Sequence, residues 1–175
     1  MTDDSRFPIG KFSRPAAVSA EDRTRFIDEI AAAPALLRKA VTGLSPQQLD
    51  TPYRDGGWTV RQVIHHVPDS HMNAFIRFKL ALTETDPVIR PYDEGAWAQL
   101  NDAAETPVET SQTLLECLHS RWVVLLRGIS SEAWKRRYVH PEMGIVPLET
   151  ALALYAWHGK HHTAHVTELR KRKGW

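Results

Sequence analysis

The sequence contains one cysteine, Cys117, among its 175 residues. A single cysteine cannot form an intrachain disulfide, a four-thiolate zinc site or a CxxC redox pair. Lysine and arginine number 22 against 21 acidic residues, so the formal net charge is only +1. That balance gives no general attraction to nucleic acid or to an anionic membrane. We therefore expect a cytoplasmic protein with no nucleic-acid partner.

The sequence also lacks a long apolar run. No stretch approaches the ~20 apolar residues of a transmembrane helix, and residues 1–6 are polar and acidic rather than basic and then apolar. We expect neither a membrane partner nor an export signal. With 42% hydrophobic residues, the chain is long enough to bury one core. It predicts a single domain over residues 1–175, with residues 1–18 as an N-terminal arm.

Four long segments have apolar residues at three- and four-residue steps, and there is almost no strand pattern. The segments start after Ser19, after Thr59, near Val108 and after Pro147, and two of them contain an interior proline. One of these, Pro34, leaves the carbonyl of the residue four positions earlier without its helical partner. Four long amphipathic helices predict an all-α four-helix bundle.

Two connections bear on the topology of that bundle. Residues 83–107 form a long crossover, which lets two neighbouring helices run in the same direction. Residues 137–147, with Pro141 and Gly144 as turn residues, predict a small hairpin or an irregular segment before the last helix.

Four of the nine histidines lie in residues 158–165, in the middle of the last helix. His158 and His162 are one turn apart, as are His161 and His165, so either pair could hold one metal ion. The buried stripe is marked by Leu148, Leu152, Tyr155, Val166 and Leu169, and His158 and His162 continue it. Helical phase therefore predicts that His158 and His162 face the interior, that His161 points away and that His165 lies at the edge.

The second helix carries three more histidines. His66 lies on the flank of its apolar stripe, whereas His65 is predicted to point to solvent. His71 falls inside the stripe, where it is either a rival ligand or a core histidine, and His119 on the third helix is predicted to be peripheral. Three imidazoles would leave at least one coordination position open, which is typical of catalytic rather than structural zinc. The HExxH motif of zinc proteases is absent.

Residues 57–66 contain the pattern W-[ST]-x-x-[EQ]-x-x-x-H, and residues 158–162 have the form H-x-x-x-H. Both resemble signatures of the DinB-like superfamily. Further short blocks resemble its YfiT branch, namely residues 6–10, 53–58, 69–73 and 155–158. These blocks are spread over nearly the whole chain.

The resemblance implies an up-down-down-up four-helix bundle, a homodimer, and one divalent ion per chain, zinc or nickel, on three histidines. Carried over position by position, the ligands are His66, His158 and His162. It also implies a metal-dependent hydrolase that activates water against a small-molecule substrate. The alternative is an S-transferase that joins a cellular thiol such as bacillithiol to an electrophile, and a third hypothesis is a metal-binding module without turnover. No catalytic group other than the ligands is assigned.

Weaker candidates surround His66 in the sequence and could bind an anionic substrate or support the ligands. They are Arg54, Asp55, Arg61, Asp69 and Asn73, although a surface ion pair or a loop cap is the favoured interpretation for each. Four residues of the connections could wall a pocket or simply pack within their loops: Tyr92, Trp97, His140 and Glu142.

Overall fold

Four long helices account for most of the chain in the computed structural model, which describes residues 5–175. In chain order the helices are α1 (Ala20–Val41), α2 (Pro46–Leu49), α3 (Val60–Thr83), α4 (Glu94–Trp97), α5 (Asn101–Glu105), α6 (Val108–Arg127) and α7 (Leu148–Lys173). A 3-10 turn (Ala133–Lys135) and a two-stranded hairpin, β1 (Arg137–His140) and β2 (Gly144–Pro147), precede α7. The predicted helical class and the predicted hairpin are confirmed. The expectation of no export signal was based on the polar residues 1–6. Of these, residues 1–4 lie outside the described part of the chain.

The first two long helices begin at caps that the sequence predicts. Ser19 and Thr59 each accept a hydrogen bond from the amide three residues on, and the side chains of Asp22 and Gln62 accept from the cap amides in return. These reciprocal capping boxes satisfy amides that the first helical turn leaves unpaired. At the other end of the chain, Gly174 has φ +68° and terminates α7 in the left-handed conformation.

Contacts at both ends of α1 show that it runs parallel to α7. Near its start, Arg23 Nη1 lies 2.5 Å from Glu149 Oε1, and near its end the Ala40 carbonyl accepts a 2.8 Å hydrogen bond from Arg170. The two helices approach closely at the level of the histidines, since a Cβ on Gly159 would lie only 3.0 Å from Ala33 Cβ. A side chain at Gly159 would require Ala33 to shift, so the glycine beside His158 suits this close approach.

The other two long helices run in the opposite direction. Asp28, in the first half of α1, lies 3.1 Å from Arg127 at the end of α6. Arg38, near the end of α1, lies 2.6 Å from Glu116 in the middle of α6, so these two helices are antiparallel. Helices α3 and α6 are parallel to each other, because the pairs His65–Ser111 and His71–His119 advance together along both helices. The order is up, down, down, up, as expected, and the crossover through α4 and α5 makes the parallel step possible.

The core consists of two main apolar clusters with the histidines between them. The larger lies towards the hairpin and is centred on Phe78, Trp122 and Leu152. The smaller packs the other end of the bundle, with Val60, Ile64 and Val166 fully buried. Because apolar packing closes both ends, the polar site lies at mid-height on one side of the bundle.

The hairpin also anchors the crossover. Arg137 to His140 pairs with Pro147 to Gly144 in antiparallel register. The amide of Ile89 donates to the carbonyl of Val139, and the amide of Val139 donates to the carbonyl of Pro87. These bonds hold the start of the crossover over the bundle, where it forms a wall of the site. Within residues 5–175, no helix combines the length and apolar character needed to span a bilayer.

Candidate metal centre and its pocket

Three histidines from two helices converge at mid-height of the bundle. His66 on α3 and His158 and His162 on α7 place one ring nitrogen each within 4.8 Å of one another. The Nε2 atoms of His66 and His158 face each other at 3.4 Å. We call these three residues the pocket trio. They are the histidines that helical phase favours in the sequence.

The spacing fits a single metal ion. Two nitrogens bound to one tetrahedral zinc ion at about 2.05 Å lie roughly 3.3 Å apart, which matches the His66–His158 separation of 3.4 Å. All three donors are imidazoles, which suit zinc and nickel alike. The trio can therefore hold a divalent ion and leave a coordination position towards the cavity.

Two further histidines hold His158 from behind. His158 Nδ1 lies 3.0 Å from His71 Nε2, and His71 Nδ1 lies 2.8 Å from His119 Nε2. The chain ends where His119 Nδ1 meets the carbonyl of Ile30 at 2.6 Å. That carbonyl is available because Pro34, four residues later in α1, has no amide hydrogen to donate to it. We call His71 and His119 the interior pair.

The direction of this hydrogen-bond chain follows from its end. A carbonyl only accepts, so His119 must donate from Nδ1, and as a neutral ring it accepts at Nε2. His71 then donates from Nδ1 and accepts at Nε2, and His158 donates from Nδ1. This leaves the lone pair of His158 on Nε2, the atom that faces His66. A hydrogen bond at the second ring nitrogen is the usual device that orients a metal-binding imidazole.

Burial keeps these rings neutral. Desolvation, followed by the charge of His165, lowers the pKa of His66 to about 4. Desolvation also lowers the pKa of His119 to about 4, against the opposing effect of its hydrogen bond to Ile30. For His71, His158 and His162 the pKa lies well below its usual value, with burial again the main cause. At pH 7 the trio therefore offers lone pairs rather than protons.

The trio forms the floor of an open cavity of about 530 Å³. Such a volume suits a small molecule. Of the four loop residues that could wall a pocket, Tyr92, His140 and Glu142 line this cavity. Trp97 instead packs on Tyr92, with ring centroids 4.4 Å apart. Burial raises the pKa of Tyr92 to about 12, so its hydroxyl stays protonated.

Aromatic rings fix the positions of the trio and its neighbours. Trp58, which precedes the α3 cap, lies with its ring centroid 4.6 Å from that of His66 and 6.4 Å from that of His162. The N-terminal arm covers the other flank, where Phe7 packs at 6.1 Å from His161 and the Arg6 carbonyl lies 3.1 Å from His165 Nε2. The arm is thus part of the site's structure.

A second group of histidines lies next to the trio and shares one member with it. His161, His162 and His165 also bring one nitrogen each within 4.8 Å of one another. This group is the weaker candidate for a metal site, because His165 already uses Nε2 on the Arg6 carbonyl. Its ring also stacks on Tyr53 at 3.9 Å. The ring of His161 stacks on Trp157 at 4.3 Å.

Three predictions from helical phase are wrong. His161 does not point away, because the arm and Trp157 bury it. His65 does not face solvent but is buried against α6, where its Nδ1 lies 2.7 Å from Ser111 Oγ. His119 is not peripheral, since it is only 2% exposed and ends the hydrogen-bond chain. In each case helical phase predicts that the residue faces solvent, but a neighbouring element of the fold covers that face of the helix.

Most of the weaker candidates lie away from the trio. Of the five, only Arg54 lines the cavity. Arg61 forms a 2.7 Å ion pair with Asp50, and Asn73 donates to the Asp69 carbonyl within its own helix. Asp55 is exposed in the loop before α3. Asp69 is half-buried, and burial followed by the charge of Asp102 raises its pKa to about 6.

Two residues that sequence reasoning passed over lie in this cavity. Ser70 places its hydroxyl 3.5 Å from His158 Nε2, and Arg77 is buried on the same face of α3. A signal for Arg77 was present, because it lies between Ala74 and Ala81 in the apolar stripe. A charged residue at such a position needs a partner that the helix itself does not provide.

Comparison with known proteins places the chain in a family. Residues 29–166 match the sequence model of the DinB superfamily. The chain belongs to the DinB superfamily. Proteins from Bacillus cereus (strain 03BB102) and Bacillus thuringiensis subsp. konkukian (strain 97-27) are each 53% identical to it over 173 residues, covering 99% of both chains. Both carry the name "Putative metal-dependent hydrolase".

A solved structure agrees with the whole architecture. The chain matches YfiT from Bacillus subtilis with a TM-score of 0.95 and 50% identity, over 98% of each chain. That protein is described as "a probable metal-dependent hydrolase with an unusual four-helix bundle topology". The family resemblance and the bundle topology predicted from the sequence are confirmed.

Proposed function

We propose that this protein is a metal-dependent hydrolase acting on a small molecule, with one divalent ion, zinc or nickel, on His66, His158 and His162. The observation that carries the proposal is the 3.4 Å spacing of the His66 and His158 Nε2 atoms at the floor of an open cavity. A divalent ion held there would lower the pKa of water at its remaining position and polarise a substrate carbonyl.

The chain's own residues would position the reactants. The interior pair keeps His158 in one tautomer, and Trp58 restricts the ring of His66. The Ser70 hydroxyl, 3.5 Å from His158 Nε2, is a hydrogen-bonding group that could contact a substrate oxygen at the trio. The walls around Tyr92 and His140 would limit water around the bound substrate.

Thiol transfer is the second candidate, and one observation favours it. Among residues 5–175, the group of potential metal-ligating atoms that contains the trio includes no carboxylate. A thiol, with an ordinary pKa of about 8.5, needs less help than water to lose its proton. In this reaction the deprotonated thiol would attack an electrophilic carbon and displace its leaving group.

Metal removal combined with two assays tests the proposal. Purified protein should contain about one divalent ion per chain and should cleave activated esters, lose the activity on chelation and regain it with zinc or nickel. In parallel, 1-chloro-2,4-dinitrobenzene with a panel of cellular thiols would report thiol transfer. Thiol-dependent conjugation without ester cleavage would replace the hydrolase by the transferase, and bound metal without either activity would leave only the binding module.

A further inference from the structure

A buried arginine without a carboxylate partner lies in the same cavity as the pocket trio. Arg77 is only 9% exposed. Its guanidinium makes two long contacts of 3.5 Å, to the Tyr155 hydroxyl and to the Arg90 carbonyl. In the described part of the chain, no ion pair includes it.

Another arginine of the same helix shows the contrast. Arg61 is partly buried and pairs with Asp50 at 2.7 Å, so this arginine has a counter-ion within the chain. A buried guanidinium without a counter-ion is costly, since it loses its hydration without gaining an opposite charge. Arg77 is therefore placed where an anion from outside the chain would be stabilised.

The charge of Arg77 is felt by the residues around it. Burial first, and then the Arg77 charge, lower the pKa of His140 on the cavity wall. The same charge acts on Tyr155, opposing the rise in pKa that burial causes there. The carboxylates that line the cavity, Glu94 and Glu142, are exposed and form no ion pair with Arg77. Among the described residues, Arg77 is the buried charged side chain that lines the cavity.

Arg77 lies on the same face of α3 as His66, the member of the trio that this helix carries. His66, Ser70 and Arg77 are spaced by four and seven residues, which brings all three within about 40° around the helix. Ser70 lies beside His158, and Arg77 follows two turns later, roughly 10 Å further along the axis. A single small molecule could reach both sites within a cavity of about 530 Å³.

We infer that Arg77 binds a carboxylate of the substrate while the other end of the same molecule reacts at the pocket trio. A guanidinium and a carboxylate can form two parallel hydrogen bonds. The Nη1 and Nη2 groups of Arg77 each make only one long contact of 3.5 Å, so both can donate to a carboxylate. The inference rests on the proposed metal-dependent function, because the trio must present an ion to the reacting end.

The inference is tested by measuring the affinity of thiols of increasing chain length. A thiol can bind the metal ion directly, so the test does not depend on catalytic activity. The cobalt(II)-loaded protein is titrated with 3-mercaptopropionate, 6-mercaptohexanoate and 8-mercaptooctanoate, each beside the mercaptoalcohol of the same length. Thiolate-to-cobalt absorption reports binding at the ion. We expect the longer carboxylates to bind roughly tenfold to a hundredfold more tightly than their alcohols, with little advantage for the shortest.

Variants then locate the subsite. Arg77→Met should remove the carboxylate advantage and keep alcohol binding, and Arg77→Lys should retain part of it. Arg61→Met, at a residue of the same helix that does not line the cavity, should leave the advantage unchanged. Equal binding of acids and alcohols by the unaltered protein would overturn the inference, and so would loss of the advantage in Arg61→Met alone. Absence of any thiolate absorption would instead contradict the proposed metal function, so the two failures are distinguishable.

Discussion

The pocket trio and the interior pair are alike in burial and differ in how their nitrogens are used. His66 and His119 both have a pKa lowered to about 4, chiefly by desolvation. In the interior pair, both nitrogens of each ring have a hydrogen-bond partner. In the trio, the Nε2 atoms of His66 and His158 converge on the cavity instead. A lowered pKa therefore marks a buried histidine, and only the direction of its lone pair marks a candidate ligand.

The largest expected effect separates the trio from the second histidine group. His66→Ala and His158→Ala each remove one of three donors, so we expect metal affinity to fall by more than about a hundredfold, since loss of a supporting contact alone costs tenfold to a hundredfold. His161→Ala should retain the metal. Competition with a chromogenic chelator measures all three. Metal loss in His161→Ala with retention in His66→Ala would move the site to the second group.

Acid stability of the metal-free protein tests the interior pair through His119. The folded pKa of His119 is about 4, below the unfolded value of about 6.5. Between these values the unfolded chain binds more protons, so His119 stabilises the fold fully above pH 6.5 and this contribution is lost as pH falls towards 4. The loss corresponds to roughly 3 kcal/mol.

Urea unfolding from pH 7 to pH 4 measures that loss in the free energy of unfolding. His119→Gln should flatten the decline with falling pH, because glutamine does not titrate in this range. Cys117→Ser, an exposed change on the same helix, should leave the decline as it is. An identical decline in His119→Gln would assign the acid sensitivity to other groups.

Breaking the hydrogen-bond chain should weaken the trio without removing a ligand. His119→Leu removes the acceptor for His71 and leaves the Ile30 carbonyl unpaired, so we expect roughly a tenfold loss of metal affinity. His119→Gln can restore an acceptor near the position of Nε2 and should recover most of it. Recovery by glutamine separates a hydrogen-bonding role from a packing role, which leucine would satisfy equally well.

The smallest expected effect concerns Pro34. Pro34→Ala supplies an amide that competes with His119 for the Ile30 carbonyl, so metal affinity should fall only a few-fold. Stability should move in the opposite direction, because an interior helix proline costs about 3 kcal/mol relative to alanine. Calorimetric melting and chelator competition on the same variant measure both quantities. A rise in both would mean that the freed carbonyl has no part in positioning His158.

Sequence patterns were sufficient where a residue's role depends on its own helix. The caps Ser19 and Thr59 and the inward phase of His158 and His162 follow from local periodicity, and the structure agrees with them. The burial of His65 and His161 does not follow from local periodicity, because Ser111 and Phe7 cover these rings from other elements. The homodimer, the single-domain boundaries, the nature of the metal and the cytoplasmic location stay predictions.

By itself, the amino-acid sequence determined the helical class, the caps, the histidine spacing and the family, because each depends on residues close together along the chain or on a motif. The tertiary structure alone decided that His119 of α6 and Ile30 of α1 orient His158 of α7, and that Arg77 is buried without a carboxylate beside it. The physical reason is that hydrogen-bond partners, counter-ions and solvent exposure are properties of neighbours in space, and here those neighbours lie on different helices.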